Sequence, residues 1–375
     1  MIRLFKVGMS PEAIETVAEV LESGYIGQGQ KVDEFEEALR DALFLPEPPL
    51  TTNSCTSALD LALELIGVGP GDEVITTPMT CTATNGVIVK RGARPVWADV
   101  HPDTGLIDYY DVGRKITPRT KAIMGVDWGG KSADYWLLKT YGLPVIQDAA
   151  HSFGTPVSGD YVAWSFQAIK HLTTGDGGAL LAPPEEMERG RLLRWYGLDR
   201  RSSSSFRCAQ NIEEVGFKYH MNDIAAAIGL ANLSMAVEHV DAHWQNANEI
   251  SQAIFGHAAE DHAWWFYTVI VDDPDALTRH LADRGIEASQ VHARNDKHTG
   301  FKFPNGLLPG VDYFSSHMLA VPCGWWLTGE EVERVIEGLE SFGVGNQAAL
   351  AQAGDGAIGR RHGELRNRRV GATDS

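Results

Sequence analysis

Between about residue 50 and residue 235, short apolar runs alternate with longer stretches of helical period. The runs 73–77, 95–100, 121–126, 143–147, 161–166 and 178–182 read as strands. Several are apolar throughout rather than alternating, the pattern of strands buried on both faces. The clearest intervening helix is 57–66, with Leu59, Ala62, Leu63 and Ile66 along it. Strands separated by helices predict an α/β domain with a mostly parallel, mixed sheet. Asn222 and Asp223 cap a later helix, 223 to about 237, rich in the small residues Ala225, Ala226, Ala227 and Gly229. Small residues permit close packing, in a core or between subunits.

A second unit follows over 238–343. It reads as helix, strand (265–271), helix (274–284), short strand, loop and a final helix (329–341) for which Thr328 is an N-cap. The expected organisation is a large domain with its N-terminal segment over 1–237, a smaller α+β C-terminal domain over 238–343, and a poorly ordered tail over 344–375. The tail is rich in Gly, Ala and Arg and poor in large apolar residues. Arg360, Arg361, Arg366, Arg368 and Arg369 could form a docking patch there, though a solvated tail is the simpler reading. No internal repeat is present.

Composition narrows the function classes. The chain has 375 residues, enough for two domains, and 43% hydrophobic residues, ordinary for a soluble globular protein. A formal net charge of −18 argues against nucleic acid or an anionic membrane as partner. It leaves room for an anionic substrate in a local basic pocket. Cys55, Cys81, Cys208 and Cys323 are widely spaced, with no CxxC pair, so neither a disulfide framework nor a metal site is expected, and a reducing cytoplasm fits. The start, Met1 to Lys6, lacks a signal-peptide apolar run, and no stretch has the length of a membrane span.

The chemistry concentrates around Lys170. The strand over 143–147 leads to Gln147-Asp148-Ala149-Ala150-His151, and about twenty residues on comes Ser165-Phe166-Gln167-Ala168-Ile169-Lys170 with a glycine-rich turn, Gly175 to Gly178. Most lysines are solvated surface groups, so a lone lysine near glycines says little. An acid at a strand end followed by a lysine and a glycine-rich turn is what pyridoxal 5'-phosphate (PLP) chemistry needs. The amine condenses with the aldehyde, and the carboxylate keeps the pyridine nitrogen protonated so that the ring can take up electrons. Asn53-Ser54-Cys55-Thr56-Ser57 opens a helix. Alone it is an ordinary N-cap, but helix N-termini also bind phosphate. Thr80 to Thr84, Trp128 and Asp148 all fall at the carboxyl ends of strands, where open α/β sheets bind ligands.

In order, GPGDEVIT, PMTCTATN, GARPVWADV, QDAAH, SFQAIKHLTTGDGG and GFKYHMNDIAAAIG resemble the DegT/StrS family of PLP-dependent aminotransferases, which act mainly on nucleotide-linked keto sugars. The resemblance runs from about Gly24 to about Ser341. It implies the aspartate aminotransferase type of fold, a PLP-binding large domain, a homodimer with shared active sites, and these roles. Lys170 binds the cofactor covalently and moves the proton. Asp148 pairs with the pyridinium nitrogen, and His151 hydrogen-bonds the ring phenolate oxygen. Thr56, Ser57 and Ser165 hold the phosphate, and Lys218, where the family often has Asn, reaches the partner subunit's phosphate. Three departures stand out. Cys81 occupies the place of an aromatic residue on the face of the cofactor ring. Cys55 stands where Gly usually precedes the Thr. The region 152–163 is short.

An alternative inside the family is a sugar dehydratase, in which histidine replaces the lysine; here that position is Lys170, with His171 only its neighbour. A second alternative, a non-catalytic PLP- or sugar-binding regulator, predicts loss of Lys170 or Asp148 or an added DNA-binding helix pair, and neither is seen. The substrate expectation is an NDP-4-keto-6-deoxy sugar, then a 3-keto sugar or a keto-cyclitol. The donor L-glutamate is implied by the resemblance alone. His292 and Arg294, in a polar loop stretch, and Trp128 are candidate substrate contacts.

Overall fold

A computed structural model describes residues 1–201, 209–304 and 306–345. Its centre is a seven-stranded sheet of β1 (Leu50–Thr52), β2 (Glu73–Thr76), β3 (Arg94–Trp97), β4 (Thr120–Val126), β5 (Val145–Asp148), β6 (Tyr161–Ser165) and β7 (Gly178–Leu181). The strands lie in the order β1-β7-β6-β5-β4-β2-β3. Only β7 runs against its neighbours; every other pairing in this sheet is parallel. Strands β2, β5 and β7 are buried at every position, as their unbroken apolar runs predict.

Helices cover both faces. In chain order they are α1 (Glu12–Ser23), α2 (Gln30–Leu43), α3 (Cys55–Ile66), α4 (Thr82–Lys90), α5 (Tyr109–Lys115), α6 (Tyr135–Lys139), α7 (Pro184–Leu193) and α8 (Asp223–Phe255). Leu59 and Leu63 of α3 pack with Leu50, Ile146 and Leu180 of the sheet. On the other face Phe35 of α2 and Ala226 of α8 meet Trp164 and Phe166. The smaller unit holds the antiparallel pair β8 (Tyr267–Ile270) and β9 (Met318–Val321), with α9 (Pro274–Ala282), α10 (Pro309–His317) and α11 (Gly329–Phe342). Thr328 caps α11 as expected, in a reciprocal box with Glu331.

Three expectations are revised. The helix read as ending near residue 237 continues to Phe255, so the boundary drawn at 237/238 falls inside α8. The reason is visible in its buried positions: Ala236, His239, Val240, His243, Ala247, Ile250 and Ile254 continue one stripe without a break until Gly256 takes a left-handed φ of 73°. The N-terminal segment is not confined to the large unit. Ile2 bridges Ile286 and is buried in the core of the smaller unit. Finally, the tail read from residue 344 begins with a buried Val344 in that same core. Residues 346–375, with the arginines at 360–369, lie outside the described residues, as does Cys208.

A buried ion pair fixes β1 to the helices beside it. Glu36 of α2 accepts from the amide (2.9 Å) and hydroxyl (2.8 Å) of Thr51, and pairs with Arg194, whose Nη1 also donates to the Thr51 carbonyl at 2.8 Å. Both side chains are almost wholly out of water. Replacing Glu36 with Ala leaves the Arg194 guanidinium buried without its counter-charge, which costs about 3–5 kcal/mol. The expected outcome is a clearly lowered urea midpoint; an unchanged midpoint would show that water reaches Arg194.

Candidate active site

The site forms where the parallel strands end. Asp148 is the last residue of β5 and Ser165 the last of β6. The loop after β2 carries Thr77 to Cys81, and the turn after β4 carries Asp127 and Trp128. The N-terminus of α3 is held against the same edge because β7 begins with glycine. A Cβ on Gly178 would lie 2.5 Å from the Cys55 amide nitrogen. The glycines of the turn after Lys170 therefore serve close packing as well as chain reversal.

Asp148 is 3% exposed. Its Oδ2 accepts from the Thr84 hydroxyl at 2.7 Å, its Oδ1 from the Ala150 amide at 3.1 Å, and the Cys55 thiol lies 3.9 Å from Oδ1. Burial pushes its carboxyl pKa up, opposed by these hydrogen bonds and by the positive charge of Lys170. Lys170 is half-buried by surface area, yet its Nζ lies 3.3 Å from a Trp265 ring centroid, away from water. Loss of hydration pushes its pKa down to about 7, with Asp148, Cys55 and Cys81 pulling the other way. A buried carboxylate and a lysine that is partly neutral at neutral pH are thus set side by side.

His151, 4% exposed, stacks on Trp265 (4.1 Å, 29°) and lies parallel to His292 (5.5 Å, 14°). The Gly129 amide donates to His151 Nδ1 at 3.4 Å, which assigns the ring proton to Nε2, 3.5 Å from His292 Nε2. Burial holds His151 well below the ordinary histidine range and His292 at about 4, so both are neutral. His292 adopts a φ of 60°, unusual for a non-glycine residue.

At the helix end, Ser54 is the N-cap of α3 and accepts from the Ser57 amide at 3.1 Å, while the Ser57 hydroxyl donates to Asn53 Oδ1 at 2.6 Å. Ser57 is therefore tied up within the cap, and the amides of Cys55 and Thr56, the first two of the helix, are the groups whose geometry suits an anion. Thr56 is exposed and Ser165 partly so. Cys81 caps α4 beside Lys170 and offers no aromatic face.

The remaining sequence candidates separate. Trp128 is 1% exposed and packs edge-on against His292 (5.9 Å) and His151 (6.4 Å), so it supports the two histidines from behind. Arg294 is committed: Nε and Nη2 donate to Asp296, each at 2.7 Å, and Nη1 pairs with Asp312. Lys218 is exposed, and its carbonyl accepts from the Asn53 amide group at 3.0 Å, at the mouth of α3. The short region after His151 has no slack, since Gln147 Oε1 accepts from the amides of Ser158 and Gly159, both at 3.0 Å.

Sequence reasoning placed Thr84 at a strand end but gave it no role, though it holds Asp148, and it missed Trp265, which faces Lys170. It also missed Asp127, a fully buried carboxylate that accepts from Tyr135 (2.7 Å), Gln147 (2.8 Å) and Ser152 (2.5 Å) behind the site. Asn295 donates to the Thr80 carbonyl at 2.8 Å and accepts from Asn85 at 2.9 Å, joining the smaller unit to the loop that carries Cys81.

These residues fit PLP by their donor chemistry: an amine for the aldehyde, a buried carboxylate for the pyridinium nitrogen, and a helix N-terminus for the phosphate. A large α/β domain with that lysine and that carboxylate at one sheet edge is built for a PLP-dependent enzyme, and its relatives make that enzyme an aminotransferase. More narrowly, the chain belongs to the DegT/DnrJ/EryC1/StrS aminotransferase family, whose model matches residues 8–340. It is 34% identical over 372 residues to the spore coat polysaccharide biosynthesis protein SpsC of Bacillus subtilis (strain 168), covering 88% of this chain and 94% of that one. Among solved structures it is similar to AtS13 from Actinomadura melliaura, with 40% identity, a TM-score of 0.85 and 91% and 98% of the two chains covered. It is also similar to the sugar aminotransferase CalS13 from Micromonospora echinospora, with 35% identity, a TM-score of 0.85 and 91% and 100% covered.

The depressed lysine pKa sets a pH dependence. Below about 7 the Lys170 amine is protonated and cannot attack an aldehyde; above it the amine is neutral and can. The rate at which apoenzyme captures PLP should rise about tenfold per pH unit below the midpoint and level off above it. A rate still climbing at pH 9 to 10 would mean an ordinary, hydrated lysine.

Proposed function

We propose that this aminotransferase moves the amino group of L-glutamate onto the keto carbon of a nucleotide-linked sugar. The observation that carries the reading is the Lys170 amine beside the buried Asp148 carboxylate. The sugar acceptor is supported by the printed description of CalS13, and a role in polysaccharide precursors by that of SpsC. The acceptor we favour is an NDP-4-keto-6-deoxy sugar, with a 3-keto sugar next and a keto-cyclitol after it. The cytoplasm is the proposed compartment, because Cys55 and Cys81 stand as free thiols beside Lys170 and suit a reducing environment.

When bound, PLP supplies an aldehyde that accepts amines and a ring that takes up the electron pair released at the substrate carbon. Asp148 would keep the nitrogen of that ring protonated, and Thr84 and the Ala150 amide orient the carboxylate. Lys170 would hold the cofactor through its amine and would take up and return a proton at Nζ; a pKa near neutrality suits both tasks. His151, neutral and with its proton on Nε2, would donate to the ring oxygen. The first-turn amides of α3 would receive the phosphate, with Thr56 and Ser165 adding hydroxyls. Over the full cycle glutamate leaves as its keto acid and the keto sugar as an amino sugar, with no net change in oxidation state.

His292 is the substrate-side candidate that remains, on a loop of the smaller unit facing His151. Arg294 is better read as a brace for that loop, since its guanidinium is shared between two carboxylates.

With nitrogen-15 glutamate and a panel of NDP-keto sugars, mass spectrometry should show a labelled amino sugar for the wild type and none for Lys170→Ala, which keeps its fold. Product formation by Lys170→Ala near the wild-type rate would overturn the lysine assignment. A product that has lost a hydroxyl and gained no nitrogen would instead support the dehydratase alternative.

The working unit we propose is a homodimer in which Lys218 of each chain reaches its partner's phosphate site. Support comes from the exposure of Lys218 and from the exposed apolar residues Ile14, Leu21, Tyr25, Ile26, Tyr196 and Val215. Mixing inactive Lys170→Ala with a Lys218→Ala variant of weakened cofactor affinity should restore part of the activity, since one site per mixed dimer has both lysines. No recovery after demonstrated subunit exchange would place Lys218 outside the partner's site.

A further inference from the structure

Lys170 is gripped from both sides by one strained stretch of the smaller unit. The Trp265 indole N–H donates to the carbonyl of Ile169, the residue before the lysine, at 2.9 Å. His171, the residue after it, contacts the carbonyl of Ala263 through Nε2 at 3.0 Å. A carbonyl can only accept, so His171 carries its proton on Nε2. Between these two anchors Trp264 adopts a φ of 48°, a left-handed conformation that is a genuine outlier for a bulky residue. Its carbonyl is held by His243 Nδ1 at 2.7 Å and by the Cys323 thiol at 3.2 Å. The amides of Ala263 and Trp265 donate to Gly130 (3.1 Å) and Gly129 (2.9 Å), in the turn after β4. Gly130 has no room for a side chain there, since a Cβ would sit 2.5 Å from the Trp264 nitrogen. The surroundings thus hold the strain on every side, as is common where a backbone outlier serves a site.

Trp265 itself is 4% exposed and lies in a column of rings. Phe5 stacks on it at 4.6 Å and 27°, His151 at 4.1 Å and 29°, and His292 continues the column beyond His151. The Lys170 Nζ lies over the same indole. We propose that the 263–265 stretch is a clamp that presents the Lys170 amine, with Trp265 as its positioning residue, reaching the lysine both through the Ile169 carbonyl and through its ring face. This rests on Lys170 being the lysine that takes the cofactor. A tryptophan face stabilises an ammonium, so Trp265 restrains the downward pull of burial on the amine while keeping water away. The clamp also gives the N-terminal segment a part in the site, because Phe5 stacks on the same indole.

The test uses full-length apoenzyme and reads PLP capture against pH. Trp265→Phe keeps a ring in the column but has no N–H for Ile169 and a weaker face for the amine. Its plateau capture rate should fall several-fold, and its pH midpoint should drop by about half a unit. Thermal unfolding of the same samples supplies the control. A residue that only fills the core lowers the melting temperature but leaves the plateau rate and midpoint of the folded protein where they were; that outcome overturns the proposal. If Trp265→Phe does not fold, Phe5→Leu loosens the column from its outer face, and unchanged capture in that variant overturns the proposal equally. Lys170→Ala runs alongside with borohydride trapping. Covalent capture in its absence would sink the lysine assignment itself, whereas no capture there with wild-type behaviour in Trp265→Phe sinks only the clamp.

Discussion

Everything at this site follows from putting a carboxylate and an amine out of water at one edge of a sheet. Asp148 and Lys170 each lose hydration, and burial drives both toward their neutral forms: the acid up, the amine down. Each charge opposes the other's shift, and the short donors from Thr84 and Ala150 keep the carboxylate usable. The arrangement is costly to fold and useful to react. A carboxylate held dry interacts strongly with a pyridinium nitrogen, and an amine near neutrality can attack an aldehyde and shuttle protons without a strong base. A well-solvated pair with the same geometry would do neither well.

Holding such a pair requires a frame that does not relax. The parallel strands β2, β4, β5 and β6 deliver their ends to one line, and the reversed β7 returns the chain from the lysine turn along the same edge. Gly178 then lets the start of α3 come within a distance that any side chain would block. Behind the edge, Asp127 gathers Tyr135, Gln147 and Ser152, so that the residue before Asp148 and the residue after His151 are both fixed by a second buried carboxylate. Burial raises its own pKa against the hydrogen bonds from Ser152, Gln147, Tyr135 and the Ala133 amide.

The strands were legible because burial on both faces leaves an unbroken apolar run, and the lysine and the strand-end acid because their chemistry is rare in that order. The N-terminal arm was not. Ile2 enters the core of the smaller unit and Leu4 a cluster shared by both units, and nothing in their local pattern says where they will pack. The long helix was split at residue 237 because its small-residue stripe gives way to His239, Val240 and His243, a change of residue type without a change of period. Thr84 carried a readable signal, four residues from Thr80 at the opening of a helix, and its hydroxyl does bond that of Thr80 at 2.9 Å before reaching Asp148. Trp265 carried none, since its role depends on a contact with Ile169 across 96 positions. Arg294 shows the opposite error. Its type and loop position suggest a ligand contact, and only the structure reveals that Asp296 and Asp312 already use its guanidinium.

The smaller unit is therefore less an attachment than a wall of the active site. It supplies Trp265 against the lysine, His292 against His151, and Asn295 against the loop that carries Cys81. Each of those contacts joins residues distant in sequence, so the site cannot be complete in the large unit alone. Two of its local costs, the left-handed backbone at Trp264 and at His292, fall where the wall meets the chemistry. The dense ring packing of this chain lies against the lysine, where Phe5, Trp265, His151 and His292 stack in sequence.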